Sequence, residues 1–171
     1  GGIINALILG GGEGDADLLR ILPGLALFIP LIGGTGGNVG TQSSAIVVQG
    51  LANGSLDIKH VGKHLLKEFS TALINALVMG LLIYLYTRFF PVDDNPTKSN
   101  IAAAAVTTSL FLVVMFASLF GTVVPLVLER LKIDPAIATG PFVTVTNDIV
   151  GITIYMAISG WLINVFTSFM G

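Results

Sequence analysis

Four long apolar stretches alternate with short polar ones along the chain, at 18–51, 69–90, 101–128 and 141–170. A helix that crosses a bilayer needs about 20 mostly apolar residues. Each stretch passes that test and predicts a membrane-spanning helix. A fifth apolar piece, 1–12 (GGIINALILGGG), reaches only about 18 Å as a helix, against a hydrocarbon core about 30 Å thick. It is expected to be the back half of a first helix whose front half this sequence lacks. With no starting Met and no basic flank, it does not read as a signal peptide. Segment 55–68 (SLDIKHVGKHLLKE) spaces Leu56, Ile58, Val61, Leu65 and Leu66 as a short amphipathic helix at the membrane interface, with Ser55 as its cap. Segment 91–100 (PVDDNPTKSN) reads as a turn-rich loop. The expected fold class is all-α: a polytopic membrane helical bundle, one transmembrane domain over 1–171 with no soluble domain.

Composition sharpens the picture. Of 171 residues, 53% are hydrophobic and 11% charged, where soluble domains carry about 25% charged residues. Disorder demands the opposite balance. A net charge of −2 offers no basic excess for phosphates, so nucleic-acid binding has no support. The absence of cysteine removes disulfides, thiolate metal sites and cysteine nucleophiles. Lys59, Lys63, Lys67, Arg130 and Lys132 fall in two loops on one side, against Arg20, Arg88 and Lys98 on the other. The positive-inside rule then places the 52–68 and 129–138 loops in the cytoplasm of a multi-pass cell-membrane protein. Glu13, Asp15, Asp17, Asp93 and Asp94 fall outside, where they would attract cations. His60 and His64 are four apart but lack a third ligand for zinc, and read as headgroup-facing residues.

Polar groups are costly in lipid, so the exceptions carry information. Gly33-Gly34-Thr35-Gly36-Gly37-Asn38-Val39-Gly40-Thr41-Gln42-Ser43-Ser44 sits mid-span, after Pro30. Each glycine weakens a helix by about 1 kcal/mol relative to Ala. Two compensations are open. Gly33/Gly37 and Gly36/Gly40 are GxxxG pairs suited to close helix packing; alternatively, the stretch lines a water-filled path. The polar groups that follow favour the second. The other exception is Asp148, beside Asn147, about 12 Å along the last span from Gly140. It is the only acid inside any full span, and no basic residue within a span can pair with it. Thr144, Asp148, Gly151 and Tyr155 share one helical face, and Gly34, Asn38, Thr41 and Ala45 share another at matching depth. Two such faces can form a pore wall. One carboxylate among hydroxyl, amide and carbonyl oxygens suits a hard cation such as Mg²⁺, Ca²⁺ or Mn²⁺. Mg²⁺ keeps several waters, for which small residues leave room. A symmetric dimer would bring two copies of Asp148 to its axis. Elsewhere, Trp161 and Tyr155 are candidate interface anchors, and Asn75 is expected to join helices by a hydrogen bond.

Pro30 through Gln42 (PLIGGTGGNVGTQ) resembles the second transmembrane helix of the MgtE family of magnesium channels. Lys63 to Glu68, the Asp134-Pro135-Ala136 turn, and Gly140-Pro141 through Asn147-Asp148-Ile149-Val150-Gly151 match later helices in order. The resemblance covers essentially the whole chain. It implies five helices per subunit, the first truncated here, in a pore-forming homodimer whose pore is built mainly from the second and fifth helices. It also implies a central Mg²⁺ site using the Asp148 carboxylate and the Thr144 backbone carbonyl. Gly34, Gly37, Asn38, Thr41 and Gly151 match pore-wall positions, and Ala45 and Asn147 complete the expected lining. The family commonly adds cytoplasmic N-terminal and CBS domains, which this sequence does not contain. The function so implied is a magnesium-selective channel domain in a lipid bilayer, with Mn²⁺, Co²⁺ or Ca²⁺ as further candidate ions. The alternative is an H⁺- or Na⁺-coupled divalent cation carrier, which Asp148 would serve equally well. An enzyme is not expected, because an intramembrane aspartyl protease needs two acids in one site.

Overall fold

The computed structural model describes residues 23–56, 61–138 and 140–170. The expected partial helix at 1–12, the acidic residues Glu13, Asp15 and Asp17, and Arg20, Lys59 and His60 lie outside them, as do the side chains of Lys63 and His64. Among the described residues the fold is all-helical. A 3-10 turn, Pro23–Phe28, leads into α1 (Ile29–Ala52), followed by α2 (Val61–Phe89) and α3 (Pro96–Arg130). A second 3-10 turn, Pro135–Ala138, precedes α4 (Pro141–Met170).

Local chemistry sets the boundaries. Pro96 opens α3 at a position that needs no N–H, and Asn95 Oδ1 accepts hydrogen bonds from the amides of Thr97 (3.0 Å) and Lys98 (3.4 Å). Asp93 Oδ1 in turn accepts from the Asn95 amide at 2.8 Å. At the far end, the Ile133 amide donates to the Leu128 carbonyl (2.9 Å) and that of Lys132 to Glu129 (3.0 Å). This is a Schellman closure with Lys132 in the left-handed region, φ 58°. Gly140, at φ 91°, adopts a conformation that a side chain would strain, and turns the chain into α4 ahead of Pro141.

Among the described residues, three helices hold a stretch long and apolar enough to cross a membrane: Leu66–Phe89, Pro96–Arg130 and Pro141–Phe166. The expected fourth, α1, has the length at 24 residues but not the apolarity. Its middle carries glycine, hydroxyl and amide groups where the others carry Leu and Val. The amphipathic segment expected at 55–68 is not a separate helix over its second half, because Val61–Glu68 continues directly into α2. The Ser55 hydroxyl donates back to the Gly50 carbonyl at 3.3 Å.

Helix α2 turns small residues inward and large ones outward. On α2, Ala72 and Ala76 are buried while Leu66, Ile74, Leu77, Val78, Leu81 and Leu82 are exposed. Lipid tails are as apolar as leucine, so helices gain more from close contact between small faces than from hiding large side chains. Helix α3 is the hub: it packs on α1, α2 and α4, and α1 also packs on α4. The core runs along it through Val106, Leu110, Val113 and Val114 and takes in Leu25, Phe28, Ile32, Ala76 and Tyr155. Tyr155 is therefore not an interface anchor. It is fully buried, and its hydroxyl donates to the Leu25 carbonyl at 2.8 Å, holding the entry turn onto α4. Asn75 is exposed on α2 instead of joining helices within the bundle, and Trp161 is exposed on α4.

At the α1–α3 crossing the backbones themselves meet. A methyl group at position 121 would overlap the Gly40 carbonyl oxygen and stand 2.9 Å from its carbon. At Gly80, on α2, a methyl group would meet only Thr107 Cγ2, at an ordinary 3.5 Å. Gly121→Ala is therefore expected to destabilise the fold by about 1–3 kcal/mol, as overpacking does, and Gly80→Ala to stabilise it by up to about 1 kcal/mol. Thermal unfolding of both variants in detergent checks the opposite signs.

Candidate functional site

The polar run of α1 divides between two faces. Ile32, Gly33, Gly36, Gly37, Gly40, Ser43, Ser44 and Val47 are buried. Gly34, Asn38 and Gln42 are exposed, with Thr41 and Ala45 half-buried at the edge. A methyl group at position 34 would find nothing within 4 Å. So the glycines that pack and the glycine that lies open belong to the same run.

Three of the buried glycines of α1, Gly36, Gly37 and Gly40, each make room for a specific neighbour. A methyl group at position 36 would stand 2.9 Å from Val113 Cγ1 of α3 and 3.3 Å from the Asn147 carbonyl oxygen of α4. At Gly151 it would stand 3.1 Å from the same Val113 carbon. Val113 thus fills the hole left by two glycines on two other helices. At Gly40 it would overlap Asn147 Nδ2 and stand 2.9 Å from Asn147 Cγ. At Gly37 it would overlap Asp148 Oδ1 and stand 3.0 Å from Thr144 Cγ2.

The two expected faces therefore meet, in part. Gly37 and Thr41 of α1 lie against Thr144 and Asp148 of α4. The Thr41 and Thr144 hydroxyl oxygens are 2.7 Å apart. Thr41 Oγ1 is also 2.8 Å from the Gly37 carbonyl oxygen, and Thr144 Oγ1 3.1 Å from that of Gly140. Three contacts share two hydroxyl protons, so two are hydrogen bonds at any moment. Asn147 and Gly151 stand apart from the open stripe. Asn147 is fully buried behind Gly36 and Gly40, and Gly151 is buried on Val113.

Polar satisfaction is uneven across the seam. Ser43 and Ser118 pair, with hydroxyl oxygens 3.1 Å apart, and Thr122 donates to the Ser118 carbonyl at 2.9 Å, whereas the hydroxyls of Ser44, Thr107, Ser109 and Ser159 are buried without a partner. Near Asp148, both amide atoms of Asn147 and the Oδ1 atom of Asp148 are buried without a hydrogen-bond partner. Buried polar atoms of this kind call for water or an ion. No group of three or more His, Cys, Asp or Glu side chains forms among the described residues. A cation here would meet one carboxylate per chain and otherwise neutral oxygens, a donor set for a hard ion that keeps its own water.

Sequence reasoning placed no weight on α3, yet Val113, Ser118 and Gly121 shape the back of the seam. The signal was present in Ala117 and Gly121, a small-xxx-small pair on an apolar helix.

Comparison with known proteins bears on the same residues. The MgtE family model, described as a divalent cation transporter, matches residues 29–158, which take in α1 to α3 and the first half of α4. Three relatives named magnesium transporter MgtE are similar to the chain. That of Bacillus subtilis (strain 168) is 34% identical over 143 residues, covering 84% of this chain and 30% of the relative. That of Thermus thermophilus is 32% identical over 162 residues, covering 95% and 34%. That of Enterococcus faecalis is 34% identical over 142 residues, covering 83% and 30%. The chain spans about a third of the length of these relatives.

The shared protons of Thr41 and Thr144 have a measurable consequence. Thr41→Val and Thr144→Val are each expected to cost about 1 kcal/mol of stability. The double variant is expected to cost less than the sum, because both singles break the same 2.7 Å contact. A double-mutant cycle on thermal unfolding in detergent reads the coupling.

Proposed function

The chain belongs to the MgtE family of divalent cation transporters, and on that premise we propose that it forms the membrane part of a magnesium channel, with the α1–α4 seam as its ion path. The observation that carries this reading is the contact of Gly37 with Asp148 and Thr144, beside an open stripe of Gly34, Asn38 and Gln42. A helix too polar for lipid, with exposed amides at its middle, is stable in a bilayer only where that stripe meets water or another subunit. A second copy of the chain serves both needs: paired across a two-fold axis, two α1–α4 seams would enclose a polar path. The subunit would then be one half of a homodimer, multi-pass in the cell membrane, with the 52–68 and 129–138 loops in the cytoplasm.

In this reading Asp148 supplies the charge that draws Mg²⁺ to mid-membrane. The Thr144 carbonyl and the Thr41 and Thr144 hydroxyls offer neutral oxygens to the waters the ion retains. Gly37 keeps the carboxylate in place, since a side chain there would displace it. Gly34, Asn38 and Ala45 form the wall beside it, while Asn147 and Gly151 hold α4 against α1 and α3 from behind. The relatives the chain matches are named as transporters and not as enzymes.

The test is Mg²⁺ flux into proteoliposomes, followed with an internal Mg²⁺-sensitive dye. Asp148→Asn is expected to lower flux about tenfold or more, the equivalent of roughly 1.4 kcal/mol per factor of ten, with insertion and folding unchanged. Gly37→Ala is expected to lower it as well, by pushing the carboxylate aside. Flux in the unmodified protein is expected to follow the Mg²⁺ gradient and voltage alone. A requirement for a proton or sodium gradient would transfer the site to a coupled carrier, and undiminished flux in Asp148→Asn would remove Asp148 from the path.

A further inference from the structure

Two hollows meet on the α2–α3 pair, on residues that take no part in the seam. The upper is a cavity of about 710 Å³ where α2 ends and α3 begins, with Arg88, Asp93, Asp94 and Asn100 in its lining. The lower is an apolar groove of about 420 Å³ between the two helices, bordered by Leu77, Gly80, Leu81 and Phe111. Tyr84 borders both, so the two adjoin at that residue.

The groove exists because position 80 has no side chain and the nearest atom across it is Thr107 Cγ2. It runs from Tyr84 past Gly80 to Ala76. Eight residues of helix span about 12 Å, most of the depth of one leaflet of a core about 30 Å thick. The upper cavity stands where α2 leaves its apolar stretch at Phe89, at headgroup level, and Tyr84 lies at the junction as interfacial tyrosines do.

Charge narrows the occupant. One guanidinium and two carboxylates line the cavity. A bare cation would meet Arg88, and a bare anion would meet Asp93 and Asp94. A ligand carrying one charge of each sign satisfies both. Guanidinium matches the oxygens of a phosphate, and a primary ammonium offers three donors to carboxylates. The amide of Asn95 already holds Asp93 Oδ1 in place at 2.8 Å. The groove below then requires that the same ligand carry an apolar chain.

We propose that this double hollow is a binding site for a phospholipid with a primary-amine headgroup, of the phosphatidylethanolamine class. Its phosphate meets Arg88, its ammonium meets Asp93 and Asp94, and one acyl chain lies along the Gly80 groove. The site rests on α2 and α3 crossing the membrane, and is independent of which ion passes the seam.

The experiment is native mass spectrometry of the full chain, released from micelles holding equal amounts of dioleoyl phosphatidylethanolamine, phosphatidylcholine and phosphatidylglycerol. The ethanolamine lipid is expected to be retained over the other two. The quaternary ammonium of phosphatidylcholine donates no hydrogen bond, and phosphatidylglycerol brings no cation. Arg88→Gln and Asp94→Asn are each expected to reduce that retention about tenfold, as loss of one charge-assisted contact does. Gly80→Leu, which fills the groove and leaves every charge in place, is expected to reduce it too. Retention indifferent to headgroup, or equal in the wild type and the Arg88→Gln/Asp94→Asn double variant, overturns the site. Retention abolished by Mg²⁺ and insensitive to Gly80→Leu assigns the cavity to a cation and overturns it as well. Recovery of the chain in the soluble fraction would overturn the membrane reading and the site with it.

Discussion

Where α1 passes α3, no atom beyond Cα stands between the two backbones at Gly40 and Gly121. Helices that meet through side chains keep their axes about 8–10 Å apart, and a glycine on each removes the spacer. Lipid supplies no hydrophobic push between helices, so their association depends on dispersion and hydrogen bonding, and dispersion is lost quickly as a gap opens. The position of α1 therefore hangs on this approach. Once α1 is so close to α3, its neighbouring glycines fall against α4. Gly36 takes the edge of Val113, Gly40 takes the Asn147 amide, and Gly37 takes the Asp148 carboxylate. The acid is held where it is because the residue facing it has nothing to push it away with.

The packing sorts the polar groups into two kinds. Those that join helices away from the acid are paired, as in Ser43 with Ser118 and Tyr155 with the Leu25 carbonyl. The Asn147 amide and one Asp148 oxygen are buried and unpaired within the chain. Burying an unpaired amide costs a few kcal/mol, and the low dielectric around it magnifies its effect on any charge nearby. The hydroxyls of Ser44, Thr107, Ser109 and Ser159 are buried unpaired as well, but only at Asn147 and Asp148 do an amide and a carboxylate share that condition among the described residues. The same glycines that make α1 a poor lipid-facing helix thus make it a good neighbour for α4.

Helix existence was legible in the sequence and helix facing was not. The apolar stretches at 69–90, 101–128 and 141–170 emerged as helices because length and apolarity suffice to predict them. The expected break between 68 and 69 is absent because an amphipathic start and an apolar continuation read as two elements when the chain makes one. The meeting of Thr41 with Thr144, and of Gly37 with Asp148, was foreshadowed by matched depth along two helices. Depth is a property of one helix at a time, whereas facing depends on two. Tyr155 shows the limit. By spacing it belongs with Thr144 and Asp148, yet it turns into the core, because α4 is apolar almost all the way round and its pattern carries no inward direction. Asn147 shows it too: an amide beside an acid reads as lining, and within the single chain it is buried in the gap that Gly40 leaves. Gly34 and Gly37 are indistinguishable as letters, and only the packing against α4 makes one open and the other buried.

The Thr41–Thr144 pair lends the seam a property that its heavy atoms do not display. Two protons distributed over three oxygen contacts leave a choice of arrangements that differ only in which way each hydroxyl points. Switching between them requires rotation about a single C–O bond and no movement of either helix. The pair is therefore a small reorientable dipole set into an otherwise rigid wall. It can turn a lone pair or a hydrogen toward a polar group brought beside it, and its response is as fast as a hydroxyl rotor, well ahead of any backbone motion.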